Sequence, residues 1–194
     1  MVSAWASQAG FVAFVALVGM QRLWELKKSR RHELAILKAR GREHAPGQMA
    51  VMRALHGAWL IAMVVEVLCL HRPFHAAIAL FATMVFAVGQ ALRIDAMRAL
   101  GNRWTVTIMT LPGVPAVQQG IFRWLRHPNY LGVALEIFAL PLVHGAWLTS
   151  VGFTLANAAL LRARILAEEK ALTVDSNYDT LLVQRPRFLP KLYG

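Results

Sequence analysis

The 194-residue chain holds a single cysteine, Cys69. That excludes an intramolecular disulfide and leaves no thiolate cluster for a metal. Set in an apolar run, Cys69 reads as a packing residue. Charge is scarce too. Only 16% of residues are charged and 57% are hydrophobic, at a mean hydropathy of +0.47, against about 25% and 45–50% in soluble domains. Acidic residues are fewest, 10 against 21 Lys and Arg, for a formal net charge of +11. No helix-turn-helix, zinc finger or basic-aromatic array accompanies that excess, so nucleic acid is not an expected partner. G-x-G-x-x-G, G-x-x-x-x-G-K-[ST] and H-E-x-x-H are missing, which excludes the common nucleotide and zinc-hydrolase frames. No internal repeat or low-complexity stretch interrupts the chain. What is present fits an integral membrane protein whose Lys and Arg collect in cytoplasmic loops beside anionic headgroups.

Residues 1–21 carry no charged side chain and lie between Trp5 and Trp24. That suits a span of about 20 residues with interfacial aromatics. No basic segment precedes it, so the expectation is an uncleaved first span rather than a signal peptide. Residues 25–50 are strongly basic; their first part, Leu23 to Leu37, keeps apolar residues at helical spacing and reads as an interfacial continuation of span one. Gly41 and Pro46-Gly47 close it. Two further apolar runs, 54–70 and 74–92, flank a short turn at His71-Arg72-Pro73 and predict an antiparallel helix pair. In the connection that follows, Trp104-Thr-Val-Thr-Ile-Met favours β by residue type. Leu111-Pro-Gly-Val-Pro then breaks any regular element, which predicts a small ordered loop or hairpin. Residues 128–161 form two legs of roughly 16 residues, about 24 Å each, shorter than the roughly 30 Å hydrocarbon core. The second leg runs on to Glu168 and Glu169. The tail is polar with Tyr178, Phe188 and Tyr193, and Pro186 and Pro190 exclude a long helix there.

The expected fold class is therefore all-α integral membrane: about five transmembrane helices in one membrane-embedded domain over 1–194. Three spans fill 1–92, a cytoplasmic connection 93–127, a short helical hairpin with its extension 128–174, and a cytoplasmic tail 175–194. The expected location is the bacterial inner membrane, N-terminus outside and C-terminus cytoplasmic, with a cytoplasmic cofactor pocket.

Two polar clusters bracket the hairpin. Arg126-His127-Pro128-Asn129-Tyr130 opens it, with Pro128 suited to a first helical turn, whose free N–H groups attract anions. Two readings stand: a cradle for a carboxylate, or a snorkelling arginine and an interfacial tyrosine. Glu168-Glu169 closes the second leg. On a 3.6-residue helix the two carboxylates point about 100° apart, so one can bind an ammonium group while the other pairs with an arginine; a solvated helix end is the plainer alternative. Facing each other, the clusters match a zwitterion. Arg162 and Arg164 read either as ligand-positioning groups or as topology anchors. Glu136, an ionisable group about 9 Å past Tyr130 along the helix, is a functional candidate, suited to act as a base; a hydrogen bond to His56, Glu66, His144 or Asn157 is the alternative. For His56, His144 and Glu66 the structural reading is preferred.

These residues resemble the isoprenylcysteine carboxyl methyltransferase superfamily. Its R-H-P-x-Y-x-G stretch corresponds to Arg126-His127-Pro128-Asn129-Tyr130-Leu131-Gly132. Its R-x-x-x-E-E-x-x-L corresponds to Arg164-Ile-Leu-Ala-Glu168-Glu169-Lys-Ala-Leu172, followed by Tyr178 and Pro190. The resemblance implies S-adenosylmethionine as cofactor and a lipid-like acceptor. It implies Arg126, His127, Asn129, Tyr130, Gly132, Glu168 and Glu169 as cofactor-binding residues, Arg164 and Glu136 as catalytic residues, and no metal. The family loop H-x-L-x-T-x-G-x-Y is reduced here to Gly120 and Phe122. The run around Glu136 and His144 is more similar to the bacterial branch acting on phenolic lipids from type III polyketide synthases. The expected activity is S-adenosylmethionine-dependent O-methylation of an amphipathic lipid, a prenylcysteine-like carboxylate or an alkylresorcinol or alkylpyrone hydroxyl. The alternatives are an NADPH-dependent membrane reductase of the sterol-reductase type, or a non-catalytic scaffold or transporter.

Overall fold

The computed structural model describes residues 4–188; Pro190 and Tyr193, on which the sequence reading draws, lie outside them. Its main elements are α1 (Ala4–Lys38), β1 (Arg42–His44), α2 (Gly47–Cys69), α3 (Ala76–Leu100), β2 (Ile108–Thr110), α4 (Pro128–Leu142), α5 (Trp147–Asp175) and α6 (Tyr178–Leu181). Among the described residues, α1, α2 and α3 are long and apolar enough to cross a membrane. The 15 residues of α4 reach only about 22 Å. Large apolar side chains such as Ile61, Val65, Leu80, Phe81 and Leu155 point outward, as a lipid-facing surface requires and a water-facing one does not.

The boundaries differ from expectation where charged residues find partners inside the bundle. The third apolar run does not stop at Leu92: α3 continues to Leu100, because Arg93 is buried against two carboxylates and Asp95 Oδ2 accepts the Ile121 N–H at 2.8 Å. Helix α2 starts at Gly47 rather than Ala54. The interfacial continuation of span one is part of a single helix of 35 residues, and one stripe of its polar side chains is buried while Lys27, Arg30 and Arg31 stay exposed. Gln21, Glu25, Ser29 and Glu33 recur every fourth residue, one stripe of a helix, and the last three are buried. That stripe docks on α3 and on the loop before β2. Gln21 and Gln90 exchange hydrogen bonds of 2.9 and 3.1 Å. The Val106 N–H donates to Ser29 Oγ at 2.7 Å, and Thr107 Oγ1 to Glu33 at 2.7 Å. The β-prone stretch does form a strand, but its partner is distant in sequence: β2 pairs antiparallel with β1, Arg42 opposite Thr110 and His44 opposite Ile108.

The apolar core joins Phe11 and Val15 of α1, Trp59 and Met63 of α2, Phe86 of α3 and Ile137 and Leu140 of α4. Two devices settle backbone groups that lipid cannot satisfy. Pro141 lies inside α4 and withholds the N–H that would bond the carbonyl of Ile137; the Trp59 indole donates to that carbonyl at 3.2 Å instead. At the start of α5 no capping side chain precedes the helix. Glu66 of α2 substitutes, accepting the Leu148 and Thr149 N–H groups at 3.1 and 2.7 Å while Arg72 Nε donates to the oxygen that Leu148 meets, at 3.0 Å. The turn after α2, the α4–α5 loop and the start of α1 thus share one end of the bundle, where His144 meets Ser7 at 3.1 Å.

Helices α3 and α4 cross almost backbone to backbone. A Cβ on Gly132 would sit 2.6 Å from the Gly89 carbonyl oxygen and 2.5 Å from Arg93 Cγ; one on Gly89 would sit 2.8 Å from the Gly132 oxygen. Close approach at small residues is how helices pack where both neighbours are as apolar as lipid. Gly132→Leu is expected to destabilise the protein by at least about 1–3 kcal/mol, read as a lower unfolding temperature in detergent. Gly10→Ala, which meets open space, is expected to change stability by less than about 0.5 kcal/mol; equal effects would contradict this packing.

Candidate functional site

At the opposite end of the bundle, where α1, α3 and α5 finish and α4 begins, the two sequence clusters meet. His127 is the last residue before the helix and Pro128 opens it. The segment before Pro128 is held by the tail: the Arg126 N–H donates to the Pro186 carbonyl at 3.0 Å and the His127 N–H to that of Arg187 at 3.2 Å. The side chains of Arg126, His127, Tyr178 and Arg187 converge on Glu169. Its Oε1 lies 3.0 Å from Arg126 Nη1 and accepts His127 Nε2–H at 3.0 Å. Arg187 grips both oxygens, at 3.0 and 2.6 Å, and the Tyr178 hydroxyl donates at 3.3 Å. Burial opposes ionisation of Glu169, but the hydrogen bonds from His127 and Arg187 and the charge of Arg126 outweigh it and hold its pKa well below the carboxylate range. Burial, seconded by the charge of Glu169, pushes the Tyr178 hydroxyl well above its ordinary pKa, so it stays a donor.

Glu168, one position earlier, points elsewhere. It accepts the Tyr130 hydroxyl at 2.5 Å and lines a cavity of about 480 Å³, within the roughly 300–1,000 Å³ of small-molecule sites. The Tyr130 ring is stacked on His127, centroids 5.5 Å apart, and lies under the Arg164 guanidinium at 5.8 Å. Arg164 is buried and donates through Nη2 to the Val106 carbonyl at 2.7 Å. The roof is the loop around β2. Asp175, at the end of α5, ties it down by accepting Thr110 Oγ1 at 2.5 Å and Arg42 at 3.0 Å; the Thr110 bond leads the contacts that lower its pKa. From this polar end the cavity reaches apolar side chains of α1 and α2, including Leu26, Met52 and Leu60.

Of the residues singled out in the sequence, Arg126, His127, Asn129, Tyr130, Arg164 and Glu168 line this cavity. Glu169 does not; it ties the surrounding elements together. Gly132 lies at the α3–α4 crossing, where its lack of a side chain lets the helices approach. Arg162 is exposed. Glu136 is buried away from the wall, paired with Arg22 and, at 3.3 Å, with Arg93. Arg93 also meets Glu25 at 2.5 Å, and Arg22 meets Glu25 at 2.8 Å. Two glutamates and two arginines from α1, α3 and α4 thus neutralise one another; Arg22, Glu25 and Arg93 line the cavity and Glu136 lies behind them. Burying such charges is tolerable only when they are paired and hydrogen-bonded. Sequence reasoning missed Arg22, Glu25 and Arg93 as a set; the four-residue spacing from Gln21 to Glu33 was the available signal for the α1 members.

Comparison with known proteins places these features. Residues 77–174 match the model of the isoprenylcysteine carboxyl methyltransferase (ICMT) family. An uncharacterised protein of Bacillus subtilis, YpbQ, is 32% identical over 162 residues, 84% of this chain and 96% of the relative. An uncharacterised Haemophilus influenzae protein is 26% identical over 164 residues, 84% and 94% of the two chains. The solved structure of the eukaryotic intramembrane Ras methyltransferase ICMT superposes with a TM-score of 0.50 at 18% identity, over 79% of this chain and 55% of that one; the fold is shared.

Because the pKa of Glu169 is lower in the folded protein, its stabilisation is fully present above the ordinary glutamate value of about 4.3 and fades as pH falls below it. Glu169→Gln is expected to cost about 1–3 kcal/mol at neutral pH. The gap in unfolding temperature from wild type should narrow as pH drops from about 5 to about 3; a gap independent of pH would contradict this role.

Proposed function

The chain belongs to the isoprenylcysteine carboxyl methyltransferase family, and from that membership we propose that it is a membrane O-methyltransferase using S-adenosylmethionine to methylate an oxygen of an amphipathic lipid. One observation carries the reading: a single cavity has a carboxylate and arginines at its polar end and an apolar extension between α1 and α2. The polar end suits a small zwitterion, and the extension suits a hydrocarbon chain. The basic segments flanking this end support its placement on the cytoplasmic side.

The wall chemistry fits the cofactor. Among the described residues that line the cavity, the donors Trp104 Nε1 and Nε of Arg22, Arg93, Arg126 and Arg164, and the acceptor Asn129 Oδ1, are buried without a protein partner. Leaving such atoms unmet costs about 1–3 kcal/mol each, and a ligand carrying a carboxylate, an ammonium and ribose hydroxyls would meet them. Glu168, oriented by Tyr130, is the group for the ammonium; Arg126 and Asn129 flank it. When bound, the cofactor supplies an electrophilic methyl group on a sulfonium centre. The protein's part is positioning and exclusion of water. Arg164, fixed by Val106 and by the Tyr130 face, is placed to orient the acceptor oxygen. Glu136 acts on the site through Arg22 and Arg93, which do line it.

Calorimetry with S-adenosylhomocysteine is expected to show binding to the wild type. Glu168→Gln should weaken it about 10- to 100-fold through loss of a charge-assisted hydrogen bond. Transfer of labelled methyl from S-adenosylmethionine to an alkylresorcinol or a prenylcysteine should follow the same order. Binding of NADPH in place of the sulfur cofactor would overturn the reading.

A further inference from the structure

We propose that His56 is the general base of the reaction, taking the proton of a hydroxyl acceptor. The proposal rests on the methyl-transfer reading above and narrows its acceptor to a hydroxyl, since a carboxylate is already ionised at neutral pH and needs no base. Sequence reasoning gave His56 a structural role. The structure instead puts its ring on the cavity wall, in the α2 portion beside Met52, Trp59 and Leu60.

The tautomer follows from one contact. His56 Nδ1 lies 2.8 Å from the Met52 carbonyl oxygen. A carbonyl only accepts, so Nδ1 carries the hydrogen and, in the neutral ring, Nε2 carries the lone pair. The ring is steadied edge-on by Trp59, centroids 6.4 Å apart. The other groups on the wall able to take a proton each already hold a protein partner. Glu25 is paired with Arg22 and Arg93, Glu168 accepts the Tyr130 hydroxyl, and His127 Nε2 donates to Glu169. Among the described residues, in the apolar α2 portion of this wall, His56 Nε2 is a basic atom that no protein group meets, whereas Glu168 and His127 stand at the polar end. Glu136, the base expected from the sequence, is neutralised by Arg22 and Arg93 away from the wall.

In the step this implies, the acceptor O–H gives its proton to His56 Nε2. The oxygen's electron pair forms the new O–CH₃ bond, and the CH₃–S⁺ bond breaks with its pair going to sulfur. The products are a methyl ether, a neutral sulfide and an imidazolium that returns its proton to water.

Three readouts on the full-length protein in detergent test this. His56→Asn keeps a donor for the Met52 carbonyl and removes the base, so it should fold like wild type. With a long-chain alkylphenol, whose pKa is about 10, its kcat should fall by about 100-fold or more; with the ring-dinitrated analogue, ionised at neutral pH, it should fall less than about threefold. Equal losses on both acceptors, or full activity on the alkylphenol, would overturn the proposal. ¹⁵N-histidine spectra without any methyl donor supply a readout independent of activity. The His56 signal, assigned by its loss in the variant, should show the Nδ1–H tautomer and shift at Nε2 when the alkylphenol is added. An Nε2–H tautomer or an unmoved signal would also overturn it. Failure of the methyl-transfer reading shows separately, as wild type that does not bind S-adenosylhomocysteine.

Discussion

Glu169 is the contact on which the arrangement depends. The hairpin motif, the far end of α5 and the tail are remote in sequence, and each is drawn to this one carboxylate by Arg126, His127, Tyr178 and Arg187. A single ionised group with several charge-assisted donors is worth more than the same contacts scattered. It also fixes the neighbouring residue. With Glu169 turned into the cluster, helical geometry turns Glu168 about 100° away, onto Tyr130 and the cavity. The acidic doublet is thus divided: one carboxylate holds the wall together and the other faces what the wall encloses.

In that wall and just behind it the bundle carries charge at a depth where charge is expensive. The cost is contained by pairing Arg22 and Arg93 with Glu25 and Glu136, so that α1, α3 and α4 are joined by a neutral cluster. Removing one member of such a set leaves its partners buried and unpaired, the arrangement most damaging to stability. The Gly89–Gly132 crossing brings α3 and α4 close enough for Arg93 to reach both carboxylates. The same economy appears at Pro141, whose missing N–H frees a carbonyl that Trp59 then meets. In each case a local departure from ideal helix chemistry is matched by a side chain from another helix.

What the sequence made legible were features of local origin: apolar length, the turn at His71-Arg72-Pro73, the short hairpin legs, and the spacing that puts the arginine–histidine and diglutamate segments at opposite ends of a doubled-back pair. What it hid were pairings between distant segments. The β-prone stretch near Ile108 was visible, but nothing local names Arg42–His44 as its partner. Gln21, Glu25, Ser29 and Glu33 form a stripe at four-residue spacing, yet Lys27, Lys28, Arg30 and Arg31 on the same helix make the segment read as interfacial. Glu136 looked like a lone charge because Arg22 and Arg93 lie in what reads as the ends of other spans. Gly132 is part of a motif associated with cofactor binding, while its own neighbours are the Gly89 backbone and the Arg93 side chain of α3. His56 reads as a core histidine until the cavity beside it is seen.

The central claim is that the polar end of this cavity holds the sulfur cofactor between Glu168 and the arginines, with its reactive side toward α2. The most direct measurement is an experimental structure with S-adenosylhomocysteine bound. The account predicts the ligand's ammonium against Glu168, its carboxylate near Arg126, and its sulfur facing the apolar extension on the side of His56. Ligand density outside the cavity, or a sulfur turned away from the α1–α2 side, would contradict it.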